Sequence, residues 1–319
     1  MTAATPANAA TPEVALSTHG LIKSYGTRPA LTGLELVVPK GVVYGFLGPN
    51  GAGKTTTMRL LVGLLRPDAG TISLLGRPYS WRDRRRLFDV GALIEQPAFY
   101  PYLSGRENLR ALAATGPAPG RGRIEEVLEF VGLRDRAGDR YGTYSLGMKQ
   151  RLGIAGTLLN EPSLLLLDEP ANGLDPAGIV AMRELLRYLT SRGTTVFISS
   201  HILPEVQQLA DVVGIIARGR LVREGRLSEL LQESGHVRVR IARDEAERAV
   251  ALATALVGEG LVDTPTPDGE AVWLAVRVGA ERSAAVNRAL AEGGIYASRI
   301  ESGNDLESLF LSLTGPDAA

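Results

Sequence analysis

The chain has no cysteine among its 319 residues, which excludes disulfides, zinc–thiolate sites and a cysteine nucleophile. Aromatic residues are sparse, at 5%. Lysine is rarer still: only Lys23, Lys40, Lys54 and Lys149 stand among the 35 basic side chains, and with 37 glycines and abundant alanine the balance reads as genome composition. No charge of one sign dominates, because 35 acidic side chains match the basic ones. That removes any global attraction to nucleic acid or an acidic membrane, and no nucleic-acid partner is expected. No apolar run reaches the roughly 18 residues of a membrane span; Val212 to Ala217 and Ala249 to Val257 are of core length. Residues 1–13, rich in Ala, Thr and Pro, lack the basic and apolar segments of a secretory signal. They read as a disordered lead-in, and the protein as cytoplasmic.

What is present suggests two domains, at about 100–200 residues each. From Val14 short apolar strands alternate with turns, and Val42 to Leu47 suits a buried strand that leads into a glycine-rich loop and a helix. Between about 77 and 160 charged helical segments dominate, as in a helical insertion. Strand and helix then alternate to residue 227, which implies a covered, largely parallel sheet. A linker is expected at 228–234. A small α+β domain of ferredoxin-like type follows at 235–314, read as β-α-β-α-β with a last short helix, and a tail at 315–319.

Gly48, Pro49, Asn50, Gly51, Ala52, Gly53, Lys54 and Thr55 satisfy G-x-x-x-x-G-K-[ST] between a buried strand and a helix, with Thr56 next. Such a loop lets backbone N–H groups converge on phosphate oxygens at a helix N-terminus, where the dipole favours anions. Lys54 supplies a charge for the β- and γ-phosphates and Thr55 a hydroxyl for Mg²⁺. Leu164 to Leu167 form an apolar strand that ends in Asp168 and Glu169. Alone, such an acidic pair is a solvated turn. Beside a phosphate loop, Asp168 suits the metal and Glu169 the attacking water.

Together with further motifs these residues resemble the ATP-binding cassette (ABC) ATPase family over roughly 14–226. Tyr144-Ser145-Leu146-Gly147-Met148-Lys149-Gln150-Arg151 is similar to the signature motif, Gly173-Leu174-Asp175-Pro176 to the D-loop, and Ile198-Ser199-Ser200-His201 to the switch histidine. The resemblance implies a P-loop core with an antiparallel β subdomain and a helical insertion, and ATP with Mg²⁺ as ligands. It implies that Tyr25 stacks on adenine, that His201 meets the γ-phosphate with Glu169, and that Asp175 couples two sites. Ser145 can cap the helix that follows, making a second anion site. In the family that site meets ATP held by another cassette, so a homodimer, or a pair with a second cassette, is implied.

The pattern departs in two places. The usual Leu-Ser-Gly-Gly-Gln of the signature has Tyr144, Leu146 and Met148 at its first, third and fifth positions. At the loop where the family places a metal-facing glutamine, alignment on Ile94-Glu95-Gln96-Pro97 puts Glu95 there. Those segments and the terminal Leu306 to Thr314 are similar to cassettes of bacterial exporters for bacitracin, lantibiotics and daunorubicin-type drugs. The expectation is an ATP-hydrolysing exporter subunit, peripheral on the inner face of the cell membrane and served by a separate polytopic permease. The alternatives are a soluble non-transport ABC ATPase and an ATP-gated regulatory protein.

Overall fold

A computed structural model describes residues 13–314 apart from 81, 118, 234, 304 and 305. The expected lead-in, up to residue 12, and the expected tail at 315–319 lie outside them. The chain divides into two compact units, the first ending at Glu224 and the second beginning at Gly225.

The first unit opens with a long hairpin, β1 (Val14–Tyr25) and β2 (Arg28–Pro39), whose register shifts at several bulges. β3 (Val43–Leu47) leads through the glycine-rich loop into α1 (Lys54–Leu61). β4 (Ala69–Leu74) and β5 (Arg77–Tyr79) join the hairpin in a four-stranded sheet of order β2-β1-β4-β5, antiparallel throughout. β6 (Val90–Leu93) then enters a different sheet. The helical insertion is therefore shorter than expected, because β5 and β6 occupy the start of the 77–160 stretch. Its helices are α2 (Gly105–Ala113), α3 (Arg123–Phe130) and α4 (Leu146–Thr157).

Local chemistry fixes these helices. At α2 the Ser104 hydroxyl accepts from the Glu107 N–H at 3.2 Å and the Glu107 carboxylate accepts from the Ser104 N–H at 2.7 Å, a reciprocal cap. One turn on, buried Asn108 accepts from the Tyr100 N–H at 2.8 Å and donates to the carbonyls of Tyr100 and Ser104, so the loop before the helix is pinned to it.

The rest of the unit alternates β7 (Leu164–Asp168), α5 (Pro176–Ser191), β8 (Thr195–Ser200), α6 (Leu203–Leu209), β9 (Val212–Ala217) and β10 (Arg220–Arg226). The sheet order is β10-β9-β3-β8-β7-β6, with parallel pairing from β9 across to β6. Every residue of β3, β7 and β8 is buried, as continuous apolar runs covered on both faces require. Each wholly buried leucine of Leu164 to Leu167 contributes about 1.5–3 kcal/mol. Parallel pairing brings the C-terminal ends of β3, β7 and β8 to one edge of the sheet, where ligands of open α/β sheets bind.

The second unit starts with α7 (Leu227–Glu233), where a linker was expected. Its Leu227 and Leu230 are buried and the helix packs against the last helix of the chain, so apolar burial holds it in place. β11 (His236–Ala242), α8 (Ala246–Val257), β12 (Thr266–Asp268), β13 (Ala271–Val276), α9 (Ser283–Glu292), β14 (Arg299–Gly303) and α10 (Leu306–Thr314) follow. The sheet order β12-β13-β11-β14 with antiparallel neighbours is the ferredoxin-like arrangement. Its β12 is an addition to the expected β-α-β-α-β order. Three residues long with Pro267 at its centre, it carries almost no strand signal.

Candidate functional site

The glycine-rich loop begins where β3 ends. Gly48 is packed so tightly that an added Cβ would lie 2.6 Å from the Ile216 carbonyl oxygen, and Gly53, at φ +115°, would bring one within 2.8 Å of the Ala30 carbonyl. Glycine is therefore demanded twice by the fold, once by space alone and once by space and backbone together. Gly53 ends the loop, and its carbonyl accepts the first helical bond of α1 from Thr57 at 2.8 Å.

Lys54 is nearly buried. Its ammonium donates to the Gly48 carbonyl at 2.7 Å and stands 3.8 Å from a Glu169 oxygen. Burial pushes the ammonium below its ordinary pKa, opposed by the carboxylates of Glu169 and Asp168. Thr55 Oγ1 donates to Asp168 Oδ2 at 3.0 Å. Glu169, the residue after β7, is left-handed at φ +50° and its carboxylate meets His201 Nδ1 at 2.8 Å. These five residues come from α1, the β7 end and the β8 end, and they share one cleft edge.

The cleft has a volume of about 760 Å³ and is lined by Tyr25, Asn50, Gly51, Gly53, Lys54, Thr55, Thr56, Glu169 and His201. It is large enough for a nucleotide. Tyr25, at the end of β1, is 47% exposed and lines the cleft. Gly48, Pro49 and Ala52 form the loop behind that lining. The donor set suits Mg²⁺. It offers a hydroxyl and a carboxylate, both hard oxygens, and no cluster of three His, Cys, Asp or Glu ligands occurs among the described residues. An ion that takes most of its ligands from phosphate and water needs no such cluster.

The family profile for ABC transporters matches residues 31–172. The bacitracin transport ATP-binding protein BcrA of Enterococcus faecalis is 39% identical over 305 residues, which are 95% of this chain and 97% of that one. The chain belongs to the ABC transporter family. It is an ATP-binding subunit of an ABC transporter and an ATPase. The daunorubicin resistance ATP-binding protein DrrA3 of Streptomyces coeruleorubidus is 38% identical over 96% of this chain and 97% of its own length. A solved ATP-binding subunit of an ABC transporter shares 30% identity and superposes with a TM-score of 0.61, covering 67% of this chain and 91% of that one. Among the described residues no helix of this ABC ATPase is long and apolar enough to cross a membrane.

The signature segment does not reach the cleft of its own chain. Ser145 caps α4, accepting from the Met148 N–H at 3.3 Å, and is exposed along with Leu146. The Leu146 side chain lies on the backbone of Gly173, in the space an added Cβ there would fill. The leucine that departs from the usual motif is thus seated on the D-loop. Asp175 is exposed and caps α5 through the Gly178 N–H at 3.0 Å. Tyr144 is buried, its hydroxyl donating to the Arg136 carbonyl at 2.8 Å, so it serves packing.

Glu95 departs from expectation. Its backbone is left-handed at φ +65°, it is absent from the cleft lining, and its carboxylate pairs with Arg59 on α1. The nearby guanidinium, not the metal position, takes its charge. The sequence reading also left three residues without a role. Arg28 and Asn172 line the cleft, and Asn172 donates its N–H to the Glu169 carbonyl at 3.1 Å. Ser199, wholly buried, donates to Asp168. Its only sequence signal is a hydroxyl, one of three in a wholly buried strand, with Thr195 and Ser200 as the others.

Proposed function

We propose that this ABC ATPase works as a pair of identical cassettes that powers export of a drug, peptide antibiotic or lipid-like cargo through a separate polytopic permease at the inner face of the membrane. The names of its relatives, bacitracin transport and daunorubicin resistance, support that cargo class. The observation that carries the catalytic reading is the Glu169–His201 contact at 2.8 Å beside Lys54 and Thr55.

ATP enters with its phosphates on the N–H groups of Gly51 to Thr56 and its adenine against Tyr25. Lys54 exchanges its contact with the Gly48 carbonyl for phosphate oxygens, at the N-terminus of α1. Thr55 and Asp168 would hold Mg²⁺, which when bound neutralises phosphate charge. Glu169 accepts a proton from water as the water oxygen bonds to the γ-phosphorus and the bond to the β,γ-bridging oxygen breaks, releasing ADP. His201, fixed by Glu169 through Nδ1, keeps Nε2 for the γ-phosphate. Ser145, Leu146, Gly147 and Met148 complete the site from the second copy, with Asp175 beside the seam. The exposure of Ser145, Leu146 and Asp175, away from their own cleft, favours a composite site. Hydrolysis then reopens the pair, and the helical insertion carries that motion to the permease.

Phosphate release by purified wild-type protein and by Glu169→Gln tests the catalytic reading. The wild type is expected to turn over in Mg·ATP and the variant to bind ATP without turnover. Full hydrolysis by the variant would remove Glu169 from its role. Co-purification with a polytopic membrane protein tests the transport half, and stable association with ribosomes instead would overturn it.

A further inference from the structure

Ser199 lies one residue before the end of β8, and the parallel register sets it opposite Asp168 on β7. It is wholly buried. Its hydroxyl donates to Asp168 Oδ1 and accepts from the Glu169 N–H at 3.2 Å, while the Ser199 carbonyl accepts the same N–H at 3.1 Å. The direction is forced: an ionised carboxylate only accepts, an N–H only donates, and a serine hydroxyl does both. Thr55 holds the other Asp168 oxygen at 3.0 Å, so the carboxylate is fastened at both ends. Neighbouring Ser200 has a different task, accepting from the Ile202 N–H at 3.0 Å.

The bond at the Glu169 N–H falls where the backbone needs it. At φ +50° Glu169 occupies a region that non-glycine residues seldom adopt and that surrounding bonds must hold. That conformation turns the chain after β7 so that the carboxylate meets His201.

We infer that Ser199 is a positioning residue for ATP hydrolysis: its buried hydroxyl orients the Asp168 carboxylate and shares with the Ser199 carbonyl the N–H of left-handed Glu169, from which the Glu169 side chain reaches the cleft. The inference rests on Glu169 acting as the base.

Ser199→Thr and Ser199→Val form the decisive pair, because they share a shape and differ in the hydroxyl, so any cost of overpacking is common to both. Ser199→Ala is the smaller companion. Three readouts apply: turnover, affinity for a fluorescent ATP analogue without metal, and the Mg²⁺ concentration that half-saturates the analogue's signal. For Val against Thr, and for Ala against wild type, turnover is expected to fall roughly tenfold or more, the scale of one charge-assisted hydrogen bond. The Mg²⁺ midpoint rises severalfold, and metal-free affinity is unchanged.

Equal turnover and equal Mg²⁺ midpoints for Thr and Val would overturn the inference. So would parallel losses of metal-free affinity and turnover, since those mark general damage to the cleft. Glu169→Gln separates the two readings. If it hydrolyses ATP normally, the base assignment has failed. If it is inactive while Val matches Thr, only the role of Ser199 has failed.

Discussion

The two units of the chain bury different things. Every buried polar residue among the described ones lies in the first unit, and Lys54, Gln150, Asp168, Ser199 and Ser200 are among them. The core of the second unit is apolar, built from Val237, Val239, Ile241, Leu274, Val276, Leu290 and their neighbours. Its polar chemistry stays outside: Arg240 and Trp273 both donate to Asp268, at 2.7 and 3.1 Å, and Arg238 lies over the Trp273 ring. Burying a polar group is costly unless it is hydrogen-bonded. The second unit avoids that cost, and the ATP-binding unit accepts it, with Lys54, Asp168, Ser199 and Ser200 at the sheet edge beside the cleft and Asn108 and Gln150 in the helical insertion.

The largest expected break in this comparison is Glu169→Gln, which should lower turnover by about 10²–10⁴-fold, the usual weight of a general base. The matching change in the second unit, Asp268→Asn, should leave turnover as it was, and the same phosphate-release assay reads both. Next in size is Leu274→Ala. Leu274 is wholly buried, and its truncation should cost the second unit about 2–5 kcal/mol in denaturant unfolding while ATP affinity is kept. An equal loss of ATP affinity would mean that the units do not separate as described.

Ser145→Ala is smaller in stability and sharper in function. Losing the cap should cost about 1 kcal/mol. Turnover should fall further than that cap predicts, since the hydroxyl is assigned to a phosphate of the other copy; unchanged turnover would leave Ser145 as a cap alone.

The smallest effect is expected at Glu224, where the Tyr44 hydroxyl and, at 3.5 Å, the Val37 N–H both donate to the carboxylate. Burial raises its pKa above the ordinary 4.5, against those two hydrogen bonds. A carboxyl raised by folding leaves stability intact below the unfolded value, and stability is lost as pH rises through the folded one. Glu224→Gln keeps an acceptor for both donors without ionising. Unfolding measured across that interval should show a flatter pH dependence than wild type; an unchanged slope would rule Glu224 out as its source.

The phosphate loop and the acids at the end of β7 are each a contiguous run, so their places beside a strand end were legible in the sequence, as was the helical cap at Ser145. Three kinds of feature were not. Ser199 meets Asp168 only through the register of two parallel strands, and spacing along the chain does not reveal register. The β1–β2 hairpin is longer than the alternation suggests because bulges interrupt its period. α7 is too short for periodicity to separate it from a linker, and β12 is broken by its proline. Glu95 illustrates a fourth limit: alignment gave its position in a motif, while its partner was decided by Arg59 on another element.

The central claim is that two copies close over ATP, each completing the other's cleft with Ser145 to Met148. Light scattering on size-separated Glu169→Gln, with and without Mg·ATP, tests it most directly. The account predicts a monomer without nucleotide and a dimer at saturating Mg·ATP that Ser145→Arg abolishes. A variant that binds ATP yet stays monomeric, or one that dimerises regardless of nucleotide, would contradict it.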